Sequence, residues 1–536
     1  MALITHLFCS HGHTFSDNAR EVVEQKKLDD LMKALGGNRL PLCNPCMEGT
    51  RLDILQQIET EIENTDGHNV IWIRGSPGVG KSALAASVAT RLQDQGRHVI
   101  WFRFDRTEST TITTNALWRV VARDLACWYP SIRPQLAQGN TELSLSNIDH
   151  LFETLIEKPL SLLNDIPQHE LPVILIDALD ECGGLRHDPW GQKDYDALLR
   201  TLWRWIDVDH LKRFKLVITS RPEDRIAQTF PESISIHVNI PSGMDIKPGD
   251  SASNDIRVFL MSYLSEMGMD EAWVSEARDH LVPCAAGMFI WATTVAEFLK
   301  KNPKQRFDIL KSWEHMGDAD RFEEPYSLYS TIIRTSFYDL KEEEIEALTS
   351  VIGAVIFAKQ PLDDTMLMKL PGVDTLKFIR DGLASVIDSG PILRFHHRSF
   401  EDFLLSSSFL QDFPNFSDVQ DRESHERQLA ALCLNCMESS ELHFNMCNLN
   451  SSSIKNVAID KSISPLVSYS SQFWADHLVQ TQCKEISMKA VRFVMYEKLL
   501  FWIEVMSILG KAHEVSAILK RALEWPRLAV CPESIS

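Results

Sequence analysis

The chain lacks an apolar run long enough to cross a membrane. The best candidate, residues 347–358, is interrupted by Thr349 and Ser350 and falls short of the roughly eighteen apolar residues that a span needs. The N-terminus also lacks a basic segment followed by a long apolar core, so we expect no signal peptide. Both absences predict a cytosolic protein that makes no use of a membrane.

Positive charge is also in short supply. The 536 residues include 54 Lys and Arg against 74 Asp and Glu, which gives a net charge of −20. Such a surface repels nucleic acid and anionic lipid, so we expect neither as a partner and favour proteins instead. The length predicts about three or four domains. The sequence contains no internal repeat of about 20 to 50 residues.

Cysteines are few and scattered. Their number, 11, is odd, which is typical of free thiols in a reducing compartment. Residues 43–46 and 433–436 have C-x-x-C spacing, and together with Cys9, His11 and His13 they suggest a zinc site as one interpretation. We favour metal-free thiols, because the second pair continues a helical pattern and the first pair flanks a proline.

One glycine-rich segment matches the phosphate-binding pattern G-x-x-x-x-G-K-[ST] at every fixed position. It consists of Gly75, Ser76, Pro77, Gly78, Val79, Gly80, Lys81 and Ser82. Residues 70–73 before it predict a buried strand, and apolar positions every fourth residue over 84–92 mark one helix face. In this setting the loop N–H groups can surround phosphates, Lys81 can supply a positive charge, and the Ser82 hydroxyl can bind magnesium. The segment therefore predicts a nucleoside triphosphate site.

A second segment, residues 171–181, is apolar until it ends in acidic residues. It predicts a buried parallel strand that delivers Asp177 to the carboxyl edge of a sheet, where ligands bind. Asp177 would hold magnesium, directly or through water. Asp180 and Glu181 follow, where a carboxylate could orient the attacking water. Alternatively, these two residues cap a helix or face solvent.

A third apolar strand, residues 215–220, is followed by Arg221. Arg221 would lie at the same edge and could sense the γ-phosphate; the alternative is a solvent-exposed arginine after a core strand. Strands near residues 70, 99, 173, 216 and 235 are separated by helical stretches. This alternation predicts an α/β fold, a P-loop NTPase with a doubly wound parallel sheet.

Together, the motifs GSPGVGKS, LIDALDEC and KLVITSRPE resemble those of the NACHT family of signal-transduction NTPases. The resemblance is to fungal NOD-like receptors with a nephrocystin-like N-terminal ATPase module. It continues in CMEGTR (46–51), AAGMFIWA (285–292), FHHRSFEDFL (395–404) and YSSQFWADHL (469–478). One departure concerns a Gly-x-Pro whose proline packs on the adenine in many relatives. Here Gly287 is followed by Met288 and Phe289, which we interpret as a variant.

The resemblance implies a domain order. We expect a short N-terminal extension with one helix over 17–35 (1–42), a NACHT P-loop NTPase core (43–240), a helical subdomain (254–325), a winged-helix region (326–410) with a wing strand at 392–395, and a C-terminal helical region (411–536). Within the core, the strand before Arg221 should lie between those associated with Lys81 and Asp177. Relatives often carry sensor repeats after this point, and we expect the chain to stop where these would begin.

By the same resemblance, His397 matches a histidine that contacts the β-phosphate of the bound nucleotide in the closed state. The alternative is a hydrogen-bonded histidine at a strand end. The implied function is a cytosolic nucleotide switch, in which ADP holds the domains together and exchange for ATP with Mg²⁺ permits self-association. Hydrolysis would reset the switch, and protein partners would supply the sensed signal and the response.

Two other functions stay open at this stage. The chain could be a scaffold that binds nucleotide without hydrolysing it. A metabolic P-loop kinase is disfavoured, because the sequence carries far more helix after the sheet than phosphoryl transfer to a small molecule requires. ATP is favoured over GTP, because no Asn/Thr-Lys-x-Asp segment that would read guanine is present.

Overall fold

The computed structural model describes most of the chain in two compact units, Met1–Ala292 and Thr293–Ser536. The described residues are 39–106, 112–139, 147–182, 189–242, 246–247, 249–312, 326–373, 376–447, 463–481, 486, 490, 492–493 and 498–524. The expected helix at 17–35, and the residues Cys9, His11 and His13, lie outside them. The division after Ala292 falls inside the expected helical subdomain, whose bounds stay a prediction.

Five parallel strands of the described residues form one sheet in the first unit. They are β1 (Val70–Arg74), β2 (Val99–Arg103), β3 (Val173–Asp177), β4 (Leu216–Ser220) and β5 (Ile236–Asn239), in the spatial order β2-β3-β4-β1-β5. β4 therefore lies between the strand that leads into the phosphate loop and the strand that ends in Asp177, as predicted. The register places Arg103 beside Asp177.

The sheet is covered on both faces. Every residue of β3 and β4 is buried, and since successive side chains point to opposite faces, each face needs a helical layer. The helices are α1 (Leu52–Glu63), α2 (Lys81–Asp94), α3 (Thr114–Trp128), α4 (Arg133–Gly139), α5 (Ile148–Phe152), α6 (Lys158–Leu160), α7 (Pro189–Asp207) and α8 (Asp224–Thr229). On one face Trp118 and Trp205 stack with their ring centroids 6.3 Å apart. The expected doubly wound parallel sheet is confirmed.

Three helices follow the sheet. They are α9 (Ser251–Ser265), α10 (Glu271–Ala285) and α11 (Phe289–Lys300), and the first unit ends within α11. Ala286 and Gly287 between the last two helices have φ angles of 44° and 75°. This left-handed pair ends α10 and redirects the chain before α11 begins.

The second unit is helical among its described residues. Its helices are α12 (Pro303–Lys311), α13 (Tyr326–Ser336), α14 (Glu342–Phe357), α15 (Asp364–Leu367), α16 (Lys377–Leu383), α17 (Arg398–Leu404), α18 (Ser407–Asp412), α19 (Arg422–Glu438), α20 (Pro465–Leu478), α21 (Lys498–Ile508) and α22 (Val515–Glu524). α19 and α20 pack against each other and bury Glu426 and His477 between them. None of the described helices is long and apolar enough to span a bilayer.

The expected wing strand is much reduced. Ile392 and Phe395 form single antiparallel bridges, with Asp363 and Ile387 respectively. Backbone hydrogen bonds from Asp388 N to Arg394 O (3.0 Å) and from His396 N to Val386 O (2.8 Å) extend this short antiparallel pairing. The winged-helix assignment stays a prediction.

Candidate nucleotide-binding site

The glycine-rich loop joins β1 directly to α2. Gly78 and Gly80 have φ angles of 78° and 94°, in the left-handed region that favours glycine. Gly80 caps the N-terminus of α2 without a side-chain hydrogen bond. The first N–H groups of α2 therefore open towards the loop, which is the arrangement that binds phosphate.

Gly78 is held closely by the first turn of α11. The Ile290 N–H donates to the Gly78 carbonyl at 3.0 Å. A Cβ added at Gly78 would lie 1.9 Å from Ile290 Cγ2. This position therefore needs glycine both for its backbone angle and for the close approach of Ile290.

Lys81 folds back over the loop. Its Nζ donates to the carbonyls of Gly75 at 2.9 Å and Ser76 at 3.0 Å. Burial lowers the pKa of Lys81 to about 8, against the opposing effect of Asp180. A phosphate group would restore the charge balance, because it offers oxygens with full negative charge in place of two carbonyl dipoles.

Ser82 and Asp177 meet at the carboxyl edge of the sheet. The Ser82 hydroxyl donates to Asp177 Oδ1 at 3.0 Å, and Thr219 at the end of β4 donates to the same oxygen at 2.5 Å. Thr219 Oγ1 also accepts from the N–H of Ala178 at 2.9 Å. Thr219 thus fixes both the carboxylate and the chain that follows it.

The second oxygen of Asp177 is not satisfied. The side chain is 1% exposed, and burial raises its pKa despite the hydrogen bond from Thr219. Arg103 Nε lies 3.9 Å from Asp177 Oδ2, beyond hydrogen-bond distance. Neither atom has a hydrogen-bond partner among the described residues.

This donor set fits magnesium. The ion takes oxygen ligands, one or two carboxylates at most, and completes its shell with phosphates and water. A hydroxyl at Ser82 and a buried carboxylate with an open oxygen at Asp177 supply the protein's share. No cluster of three His, Cys, Asp or Glu side chains in the described part of the chain is placed to hold a metal by itself.

Asp180 and Arg221 are paired with each other. Arg221 donates its backbone N–H to Asp180 Oδ1 at 3.1 Å, and its Nε lies 3.3 Å from Asp180 Oδ2. The two side chains are 4% and 15% exposed, respectively. Glu181 lies in the same short 3₁₀ turn as Asp180, residues Leu179–Glu181, and accepts from the N–H of Arg106 at 3.4 Å.

Residues 49–221 match the model of the nephrocystin 3 N-terminal family. The vegetative incompatibility protein HET-E-1 of Podospora anserina is 23% identical over 495 residues, which cover 83% of this chain and 34% of that protein. The chain thus spans about a third of the length of this curated relative. The predicted resemblance to fungal NACHT-type NOD-like receptors is confirmed.

Solved structures with similar chains were also found. One is a signal transduction ATPase with numerous domains from Pyrococcus horikoshii that has a tetratricopeptide repeat sensor. It has a TM-score of 0.36 and 15% identity, over 91% of this chain and 65% of that chain. Another is Cdc6p from Pyrobaculum aerophilum, with a TM-score of 0.33 and 14% identity, over 71% and 89% of the two chains.

Arg51, near the start of the matched segment 49–221, has a role that was not predicted. Its guanidinium is 2% exposed and donates to the carbonyls of Val79 at 2.9 Å and Gly287 at 3.3 Å. Its backbone N–H donates to Asp255 Oδ1 at 3.1 Å. Arg51 therefore ties the phosphate loop to α9 and to the turn before α11.

His397 lies in the second unit, at the N-terminus of α17. Its Nδ1 accepts from the N–H of Ser399 at 3.0 Å and lies 2.8 Å from the Ser399 hydroxyl. That hydroxyl lies 2.7 Å from the hydroxyl of Tyr329. These contacts match the alternative of a hydrogen-bonded histidine, and a contact with nucleotide stays a prediction.

Two polar residues of the site were missed by the sequence reasoning, Thr219 and Arg103. Each had a local signal, because each is a polar residue at the carboxyl end of an otherwise apolar strand. Burial lowers the pKa of Arg103, but attraction to the ionised form of Cys43 and to carboxylates such as Asp177 outweighs it and raises the pKa overall.

Proposed function

We propose that the chain is the nucleotide-switch portion of a cytosolic NOD-like receptor that binds ATP or ADP with Mg²⁺. The observation that carries this proposal is the meeting of the Lys81 loop with the Ser82–Asp177 hydrogen bond at one sheet edge. Lys81 and the loop N–H groups would bind the phosphates, while Ser82 and Asp177 would hold the ion. Magnesium, when bound, neutralises charge on the phosphates.

The test is nucleotide titration of the Lys81→Ala variant. Without the ammonium the terminal phosphates have no cation from the protein, so binding of ATP with magnesium should fall below detection in isothermal titration calorimetry. Lys301→Ala, which removes an exposed lysine of the second unit, is the control and should bind like the parent. Unchanged affinity in the Lys81 variant would remove the basis of the proposal.

We further propose that the switch hydrolyses ATP slowly, with Asp180 or Glu181 orienting the water and Arg221 facing the terminal phosphate. Asp180→Asn and Glu181→Gln should then slow single-turnover hydrolysis while nucleotide affinity changes little. Parental rates in both variants would count against this role.

The second candidate is a nucleotide-binding scaffold without significant hydrolysis. One observation favours it: Asp180 and Arg221 are already paired, so neither is available to water or phosphate without breaking a buried ion pair. Multiple-turnover measurements with ATP and magnesium separate the two candidates, because a scaffold produces no ADP beyond background.

Self-association would be the output of the switch, with proteins as its signalling partners. We propose that His397 supports the closed, ADP-bound state, on the strength of the FHHRSF motif that contains it. With ADP present, the particle size measured by light scattering should then increase for His397→Ala. It should not increase for the neighbouring variant His396→Ala. Monomeric behaviour of both variants would contradict this role.

A further inference from the structure

Asp177 and Arg103 present two unsatisfied atoms to each other. Asp177 Oδ2 and Arg103 Nε are 3.9 Å apart, and neither forms a hydrogen bond within the described part of the chain. They occupy paired positions on adjacent strands, since β2 and β3 run parallel with Arg103 beside Asp177. The register of the sheet therefore sets the pairing of the two residues, yet the two atoms remain beyond hydrogen-bond distance.

The two partners differ in their freedom to move. Asp177 is 1% exposed and is fixed through its other oxygen by Ser82 and Thr219. Arg103 is 29% exposed, and its Nη2 lies 3.9 Å from Asp105 Oδ2. If Arg103 leaves Asp177, it therefore keeps a carboxylate nearby and has access to water.

The other cations of the site are already held by close hydrogen bonds. Arg221 is bound to Asp180 through both its backbone and its side chain, and Lys81 is bound to two carbonyls. Of the cations that the structure describes at this site, Arg103 is thus the one that can neutralise Asp177 before any ligand arrives. A divalent ion at Asp177 would repel it, because the two positive charges would share one carboxylate.

We propose that Arg103 is the resting counter-ion of Asp177 and gives up that carboxylate when a divalent cation binds. This inference rests on the proposed function, and it adds a way in which magnesium binding at the site is regulated. Arg103 and magnesium compete for one carboxylate, so Arg103 raises the magnesium concentration that the site requires. The nucleotide-free protein is in turn spared an uncompensated buried charge.

The first test measures the magnesium dependence of nucleotide binding in Arg103→Gln. Fluorescent ADP is titrated at fixed concentrations of MgCl₂, and the magnesium concentration at half-maximal affinity is determined. Loss of the competing charge should lower this midpoint by about tenfold. Arg103→Lys, which keeps the charge, should stay within about twofold of the parent. An unchanged midpoint in Arg103→Gln overturns the proposal.

Arg74→Gln is the matched control. Arg74 also ends a strand of this sheet, but its side chain pairs with Glu232 and Asn239 and not with Asp177. Its magnesium midpoint should equal that of the parent. A shift as large as that of Arg103→Gln would mean that any strand-end cation acts through the general field of the edge, which overturns the specific pairing.

The second test needs no nucleotide. In EDTA, Arg103→Gln should melt at a lower temperature than the parent, and adding MgCl₂ should narrow the difference. In an Asp177→Asn background, Arg103→Gln should no longer lower the melting temperature, because the charge that it served is gone. If the destabilisation persists in that background, Arg103 acts elsewhere and the proposal fails.

The two tests also separate this inference from the function on which it rests. Absence of nucleotide binding in the parent overturns the proposed function, and the melting cycle still decides the role of Arg103. Normal magnesium-dependent binding in the parent, with no change in Arg103→Gln, leaves the proposed function intact and overturns the inference alone.

Discussion

Asp177 in the first unit and Glu426 in the second are both buried carboxylates, but their surroundings differ. Both oxygens of Glu426 have close partners: Oε1 lies 3.0 Å from Lys359 Nζ, and Oε2 lies 2.6 Å from His477 Nδ1. Among the described residues, Asp177 has hydrogen-bond partners at one oxygen only. A carboxylate with hydrogen-bond partners at both oxygens, such as Glu426, holds structural elements together. A carboxylate with one oxygen left over, such as Asp177, can bind a ligand.

The surroundings of Glu426 form a continuous chain of hydrogen bonds. Because a carboxylate only accepts, the proton of His477 lies on Nδ1, and Nε2 accepts from the Tyr469 hydroxyl at 2.8 Å. The Tyr469 oxygen in turn accepts from the N–H of Lys359 at 3.2 Å. These hydrogen bonds return to Lys359, whose ammonium pairs with Glu426. The segment just after α14 is therefore joined to α19 and α20 at one point.

The pKa values of Asp177 and Glu426 are shifted in opposite directions. Burial raises the pKa of Asp177. At Glu426 burial is the largest single influence and acts in the same sense, but the hydrogen bonds and electrostatic attraction from His477 and Lys359 together outweigh it and lower the pKa. The charge of Glu426 therefore adds stability at neutral pH that is lost as the pH falls through its folded pKa, whereas the charge of Asp177 costs stability above its unfolded pKa.

The largest expected effect comes from removing each charge in turn. Glu426→Gln leaves Lys359 and His477 without their anion and should destabilise the protein by about 3 kcal/mol. Asp177→Asn removes a buried charge that has few partners and should change the stability of the nucleotide-free protein by less than about 1 kcal/mol. Urea unfolding monitored by circular dichroism measures both.

Equal losses of stability in the two variants would show that Asp177 and Glu426 do not differ in their contribution to stability. Magnesium-dependent nucleotide binding also distinguishes the two variants. Asp177→Asn should lose most of it, and Glu426→Gln should keep it in the protein that remains folded.

A smaller effect is expected from the loop glycines. Gly78→Ala should cost about 2–3 kcal/mol, because its backbone is left-handed and its Cβ would meet Ile290. Gly96→Ala is the matched control, since Gly96 has a φ of 81° but no atom of the described residues within 4 Å of an added Cβ, and it should cost only about 1 kcal/mol. Thermal melting of both variants tests whether the close approach of Ile290 adds to the backbone term.

The smallest effect concerns pH. Nucleotide binding needs Lys81 in its charged form, and burial lowers its pKa to about 8. The affinity should be flat below that pH and fall by up to about tenfold for each unit above it, because a proton must then be taken up on binding. Calorimetry in buffers of different ionisation enthalpy detects this proton. A flat profile to pH 10 would show that Lys81 stays charged in the free protein.

The sequence was sufficient for the parts of the site that depend on local pattern. Lys81 and Ser82 follow an apolar strand at a recognisable spacing, and Asp177 ends another. Parallel strands bring their carboxyl ends to one edge. The pairing of Arg221 with Asp180 was not foreseen, because it joins residues 41 apart in the chain that lie just after two neighbouring strands. The same holds for Arg103 beside Asp177, which depends on the register of β2 with β3.

The position of Lys81 has a consequence for the rate of loading. Its ammonium occupies the loop by bonding to the carbonyls of Gly75 and Ser76, so an arriving nucleotide must wait for these bonds to open. At high nucleotide concentration the observed rate of association should therefore stop rising and level off at the rate at which the lysine is released. Release of Lys81 from the loop carbonyls, and not the nucleotide concentration, would then limit the rate of loading.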